Sequence, residues 1–83
     1  MSKLQFEILS PAGVIADLSE MESVHVRLEN GQLIGIYPGH TNLIGTVAAG
    51  SVRVVSADEE KTLEIPGGIL RVEKDHVRIL TIV

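Results

Sequence analysis

The sequence has no cysteine and few aromatic residues, and these absences exclude several kinds of protein. Without cysteine, the 83-residue chain has no disulfide and no thiolate for metal binding or nucleophilic attack. Phe6 and Tyr37, 2% of the chain, provide no stacking platform for single-stranded nucleic acid. The hydrophobic fraction of 45% is nevertheless typical of a folded domain, and the length allows one core. We therefore predict a single domain over residues 1–83 with an aliphatic core.

Basic runs and long apolar runs are also absent. The formal net charge is -4, and an acidic chain without a basic stripe repels a phosphate backbone, so we expect no nucleic-acid partner. No apolar stretch approaches the ~20 residues that cross a bilayer. The first residues include Glu7 and no apolar segment typical of a signal peptide. We expect a cytoplasmic chain that reaches a membrane only through partners.

Short segments of alternating polarity predict an all-β fold. Leu4, Phe6 and Ile8 alternate with polar residues, which is typical of a half-buried strand. Asn30 and Gly31 tolerate positive φ and are a strong hairpin signal. Glu20 to Ser23 are too few and too poorly patterned for a helix. Strand candidates cover residues 4–8, 14–15, 24–28, 33–37, 43–47, 52–56, 61–65, 69–72 and 77–83. Turn residues between them recur about every 8–12 residues, which predicts a β-sandwich or a barrel.

The last predicted strand is apolar on both faces. Val77 and Ile79 share one face, while Leu80 and Ile82 share the other with Arg78. Two-sided apolar strands are central in a sheet or covered by something else. Either a neighbouring loop covers Leu80 and Ile82, or these residues form a docking surface.

The residues alone do not indicate catalysis, and no cofactor is predicted. His25, His40 and His76 form no metal-ligand spacing, and solvated surface positions are the simplest interpretation of His25 and His76. His40 follows Pro38 and Gly39, and the pattern alone favours a structural turn in which this histidine is incidental. A metal-dependent β-barrel enzyme using these histidines stays open as an alternative. A biotinyl or lipoyl carrier domain is another, with Lys61 or Lys74 as the modified residue, although neither lysine has the neighbours typical of that class.

Two motifs resemble the epsilon subunit of the F-type ATP synthase. Residues 35–45, GIYPGHTNLIG, resemble that family's Gly-Ile-(Leu/Tyr)-Pro-Gly-His segment and the aliphatic pair after it. Residues 66–72, PGGILRV, resemble its Ser-Gly-Gly-(Ile/Phe)-Leu-Glu-Val segment. The opening residues 6–14 and the closing residues 76–81 are similar as well, so the resemblance covers residues 4–83.

The resemblance implies a flattened β-sandwich of about ten short strands, mostly antiparallel. It also implies a non-catalytic rotor subunit that joins the gamma subunit to the c-ring, on the cytoplasmic face of the membrane. Ion translocation and ATP synthesis then stay coupled. The implied contacts with gamma and the ring are Ser10, Gln32, His40, Leu43, Leu80 and Ile82, with the loop that carries His40 at the ring-facing end.

The sequence departs from the family's pattern at two places. Gln32 stands where the family has a second acid, and the turn before Gly35 has one extra residue that a β-bulge would accommodate. A charged ring contact at Gln32 is thus replaced by a hydrogen-bonding amide. Most members continue into two C-terminal helices, whereas this sequence stops at Val83. We therefore expect neither the inhibitory latch nor the ATP site that those helices carry.

Overall fold

Eight β-strands form the part of the chain that the computed structural model describes, residues 3–39 and 42–81. In chain order they are β1 Leu4–Ser10, β2 Gly13–Arg27, β3 Leu33–Ile36, β4 Leu43–Val47, β5 Gly50–Ser56, β6 Glu60–Ile65, β7 Gly68–Glu73 and β8 His76–Leu80. The predicted all-β class is confirmed, although these residues contain eight strands, not about ten. Within the same ranges no helix is long and apolar enough to span a bilayer.

The strands are hydrogen-bonded in the order β4-β7-β8-β1-β2-β5-β6, with β3 on β2. We call β4, β7, β8, β1 and the first half of β2 sheet one, and β3, the second half of β2, β5 and β6 sheet two. The β1–β8 pair is parallel and the other pairs are antiparallel. A parallel pair needs a long connection, and here β1 and β8 come from opposite ends of the chain.

The bend between the sheets lies inside β2. Two register shifts, one opposite β1 and one opposite β5, place extra residues between Leu18 and Ser23. Glu20 has a φ of 62°, which is a left-handed conformation. Such bulges bend a strand and increase its twist. The separate strands predicted at residues 14–15 and 24–28 are therefore one strand, because the bulges interrupt the polar–apolar alternation without ending the pairing.

The core lies between the two sheets and is aliphatic apart from Phe6. Each strand contributes alternate residues, as the period of two predicts. The buried hydrophobic residues are Leu4, Phe6, Ile8, Val24, Val26, Ile36, Val47, Val52, Val54, Ile65, Leu70, Val72, Val77 and Ile79. A bridge between Leu28 and Val47 links the far edge of sheet one to the end of β2.

The predicted β2–β3 hairpin is confirmed, but its turn differs in detail. Residues 28–32 form the loop, in which Gly31 has a positive φ while Asn30 does not. The Asn30 side chain instead accepts a hydrogen bond from the Gln32 amide at 2.9 Å. The register between β2 and β3 is unbroken, so the extra residue lies in the loop and makes no bulge in a strand.

Candidate docking face

A row of apolar side chains crosses the outer face of sheet one. Residues paired directly across strands point to the same face, so the register defines this row. We call it the apolar row, and from β4 to β2 it consists of Thr46, Ile69, Leu80, Leu9 and Val14. Except for Thr46 at the edge, every member is an aliphatic residue on the face that does not line the core.

The apolar row is open to solvent over much of its length. The exposed fractions are 64% for Val14, 48% for Ile69 and 41% for Leu80, and Ile15 beside them is 54% exposed. Burying this surface against a partner would favour association, because each Å² of apolar surface removed from water contributes about 25 cal/mol of favourable free energy. A contiguous exposed patch of this kind is typical of a protein–protein interface.

Two turns lie at the ends of the apolar row. At one end, the Ser10 hydroxyl donates to the Gly13 carbonyl at 3.1 Å and accepts from the Ala12 amide at 3.2 Å. At the other end, the amide of Glu29 donates to the Thr46 carbonyl at 2.9 Å and ties the 28–32 loop to β4. The row is thus framed by hydrogen-bonded turns that hold its ends.

The next row on the same face is ionic. Glu7 is on β1, which lies between β8 and β2. Its carboxylate accepts a 2.5 Å hydrogen bond from His76 and two 3.3 Å hydrogen bonds from Arg78. The His76 bond lowers the pKa of Glu7 from its ordinary value; partial burial opposes this shift and Arg78 adds to it. We call Glu7, His76 and Arg78 the Glu7 cluster. It connects β1 to β8 on the solvent side of their parallel pair.

The six predicted contact residues do not all lie together. Leu80 is in the apolar row, where it is paired with Leu9 of β1. Ser10 is the next residue after Leu9. Gln32 is exposed in the 28–32 loop, which joins β2 to β3 of sheet two.

The other predicted contacts are in different positions. Leu43 pairs with Val72 further along β4, and its half-buried side chain packs against the core. His40 and Ile82 lie outside the described residues. The Gly39 amide, just before His40, donates to the Asp75 carboxylate at 2.8 Å. Asp75 precedes β8 and is therefore at the opposite end of that strand from Leu80.

Sequence reasoning missed most of the apolar row and the Glu7 cluster. Leu9, Val14 and Ile69 are ordinary strand residues in the sequence, and only long-range register brings them together. His25 and His76 are at the surface, as predicted, but each is only partly exposed and its side chain makes a hydrogen bond. His76 bonds Glu7, and half-buried His25 bonds the Ser23 hydroxyl at 3.0 Å.

The two alternative functions have little structural support. Among the described residues no group of three or more histidine, aspartate or glutamate side chains is placed to hold a metal. Lys61 lies within β6, as the second residue after the β5–β6 turn, and pairs with Glu59 at 3.7 Å. Lys74 does lie in the β7–β8 turn, with a φ of 55°.

Comparison with known proteins identifies a family. The family model described as the ATP synthase delta/epsilon chain, beta-sandwich domain, matches residues 3–82. The ATP synthase epsilon chain of Bacillus licheniformis is 36% identical over 80 residues, which cover 96% of this chain and 60% of that protein. The epsilon chain of Bordetella avium is 38% identical over 82 residues, which cover 98% of this chain and 57% of that protein. The chain thus spans about 60% of the length of these relatives.

Two solved structures share the fold. A chain of the Euglena gracilis mitochondrial ATP synthase, solved as an OSCP/F1/c-ring assembly, superposes with a TM-score of 0.86 at 19% identity, covering all of this chain and 52% of that one. The second is a chain from the central stalk and c-ring structure of the Tetrahymena thermophila mitochondrial ATP synthase. It superposes with a TM-score of 0.77 at 12% identity, and the match covers 99% of this chain and 65% of that one. With the family model matching nearly every residue, the chain belongs to the family of the ATP synthase delta/epsilon chain β-sandwich domain.

Proposed function

We propose that this chain is a non-catalytic rotor subunit of an F-type ATP synthase, joining the gamma subunit to the c-ring. In that position it couples ion translocation to ATP synthesis, and it reaches the cytoplasmic face of the membrane only through the complex. The family match supports this role, and so do the fold neighbours, which come from assemblies that contain the c-ring.

The apolar row is the observation that carries the docking proposal. A rigid sheet presents Val14, Leu80 and Ile69 without large rearrangement, which favours association because little conformational entropy is lost. Ser10 at one end supplies a hydrogen-bonding group for the polar rim of an interface. Gln32, His40, Leu43 and Ile82 stay predicted contacts, and docking through the apolar row does not require them.

Binding to the gamma subunit tests this role. The purified chain is mixed with gamma, and complex formation is followed by size-exclusion chromatography and titration calorimetry. We expect a stable complex at micromolar concentration. Absence of any complex with gamma or with a gamma–c-ring assembly would remove the main support for the proposal.

A matched pair of variants tests the face. Leu80→Glu places a charge in the apolar row, whereas Leu33→Glu places the same charge at a 67% exposed leucine on sheet two. Burying an unpaired carboxylate in an interface is costly, so Leu80→Glu should weaken gamma binding about 100-fold while Leu33→Glu changes it less than about threefold. Melting curves for both variants check that the fold persists. Equal weakening by the two variants would contradict docking through this face.

A further inference from the structure

A groove of about 500 Å³ lies on the outer face of sheet two, away from the apolar row. Its floor is the C-terminal end of β2 together with β3, and one wall is the start of β5. The lining includes His25, Arg27, Gly35, Ala49, Ser51 and Arg53. The proposed docking face does not use any of these residues.

Two arginines line the groove, and two carboxylates lie beside it, because Glu60 accepts from Arg53 and Glu64 accepts from the Ser51 hydroxyl. Arg27 and Arg53 line it together with His25, and no aspartate or glutamate is among its lining residues. The chain as a whole has a net charge of -4. A local concentration of guanidinium groups in a concave site raises the local potential and attracts anions.

The register brings these groups together around a glycine. His25 is paired directly with Arg53 on one side and with Gly35 on the other. A Cβ at Gly35 would lie 3.2 Å from Nδ1 of His25, so the missing side chain leaves the ring uncovered toward the groove. The His25 ring is held by a hydrogen bond with the Ser23 hydroxyl. It also makes an edge-to-face contact with Tyr37, with 5.8 Å between the two ring centroids.

Both guanidinium groups have donors to spare. Arg27 donates from Nη1 to the Gly31 carbonyl at 3.4 Å, and Arg53 donates from Nη1 to Glu60 at 3.4 Å. The Arg53–Glu60 pair is about half exposed on both sides, and such pairs contribute little to stability. Each guanidinium carries five N–H donors in a planar fork that matches a phosphate group.

We propose that this groove binds a phosphate group, with Arg27 and Arg53 as its main ligands and His25 on the floor. The phosphate is either free orthophosphate or the phosphate of a monoester. The site is separate from the proposed docking face, so binding to gamma and binding of phosphate are independent properties of the chain.

His25 provides a second readout of occupancy. Burial lowers the pKa of His25, with Arg53 adding to the effect and Glu60 opposing it. A bound phosphate adds negative charge beside the ring and favours the protonated form. We therefore expect phosphate to raise the pKa of His25. Tyr37 and Ser23 also contact the ring.

The experiment is a titration of the chain with sodium phosphate and, separately, with glycerol 3-phosphate, followed by two-dimensional ¹H–¹⁵N NMR at ionic strength fixed with sodium chloride. We expect saturable shifts of the amides at positions 25, 35 and 49–53, with a dissociation constant below about 10 mM. Equal affinity for both probes would assign free phosphate as a sufficient ligand, and tighter binding of the ester would assign a monoester. No saturable shift with either probe would overturn the proposal.

Three charge-removing variants separate a site from general electrostatics. Arg27→Gln and Arg53→Gln should each weaken binding about tenfold, the loss expected for one charge-assisted contact. Arg71→Gln is the matched control, because Arg71 lies on sheet one and is paired with Glu73 at 3.3 Å and 52% exposed. It should change binding less than about twofold. Equal weakening by all three variants, or a His25 pKa that phosphate leaves unchanged, would contradict the assignment.

Discussion

Gly68 has the closest backbone approach among the glycines of the described chain. A Cβ at this position would lie 2.2 Å from the Leu80 carbonyl oxygen, and the φ is 156°. Gly67, just before β7, has a φ of 99°, and its Cβ would lie 3.1 Å from the Val47 carbonyl oxygen, so the backbone requires glycine at both positions. The contact holds β7 against β8 beside the apolar row.

Gly68→Ala should lower the free energy of unfolding by at least about 2 kcal/mol, because neither backbone segment can move without breaking strand pairing. Gly45→Ala on β4 is the control. Its added Cβ would meet Leu28 at an ordinary 3.6 Å, so the expected change is under about 1 kcal/mol. Urea denaturation of both variants measures the difference. Equal stability of the two variants would contradict the close approach.

Glu7 gives the molecule an acid-sensitive contact. Its pKa is lowered in the folded state, so its contribution to stability is present above the ordinary carboxyl pKa and is lost as the pH falls through the lowered value. Glu7→Gln should therefore be less stable than the parent at neutral pH. The difference should shrink as the pH falls below the ordinary carboxyl pKa and continue to shrink as the pH falls through the lowered pKa of Glu7.

Urea midpoints measured from neutral to acidic pH test this dependence. Glu73→Gln is the control, because Glu73 is in an exposed pair with Arg71, with 59% and 52% exposure, and should have little effect at any pH. If the stability difference for Glu7→Gln instead grows as the pH falls, the carboxylate of Glu7 does not stabilise the folded state.

At the scale of elements, β2 is the strand that makes the fold. It pairs with β1 over its first half and with β3 and β5 over its second half, so its bend determines how the two sheets face each other. Glu20 lies at that bend with a φ of 62°. A non-glycine residue in this conformation is strained by about 1 kcal/mol or more.

Glu20→Gly should therefore stabilise the chain by about 0.5 kcal/mol or more, since relief of the strain exceeds the entropic cost of glycine. Ser19→Gly, next to it and without a positive φ, should instead destabilise the chain by about 0.5–1 kcal/mol. Thermal and urea denaturation give both values. A stabilising Ser19→Gly together with a destabilising Glu20→Gly would show that the bend lies elsewhere.

The sequence predicted strands better than it predicted their neighbours. Alternation marks the inward faces of β1 and β8, and Phe6, Val77 and Ile79 are fully buried as expected. It also places Leu80 on the outward face, where the structure has it. Alternation carries no information on which strands pair, so the contact of Leu9 with Leu80 across the parallel pair could not be predicted. The bulges in β2 interrupt the alternation, so the sequence predicted two strands where the structure has one.

At the scale of the whole molecule, the two sheets present outer faces of different chemistry. Sheet one has the apolar row with an ionic row beside it, which suits a protein partner. Sheet two has the groove lined by Arg27, Arg53 and His25. The molecule measures 34 × 25 × 20 Å, so the two faces are separated by the thickness of the sandwich and can be occupied independently.

Chemical labelling of single thiols tests whether sheet one is the docking face. Because the chain has no cysteine, Ile69→Cys and Leu33→Cys each introduce one thiol without background. The rate of maleimide labelling is measured for the free chain and for its complex with gamma and the c-ring. We predict that the complex slows labelling at position 69 by about tenfold or more and changes it less than about twofold at position 33, because an interface core excludes solvent. Protection at position 33 with free labelling at position 69 would contradict docking through sheet one.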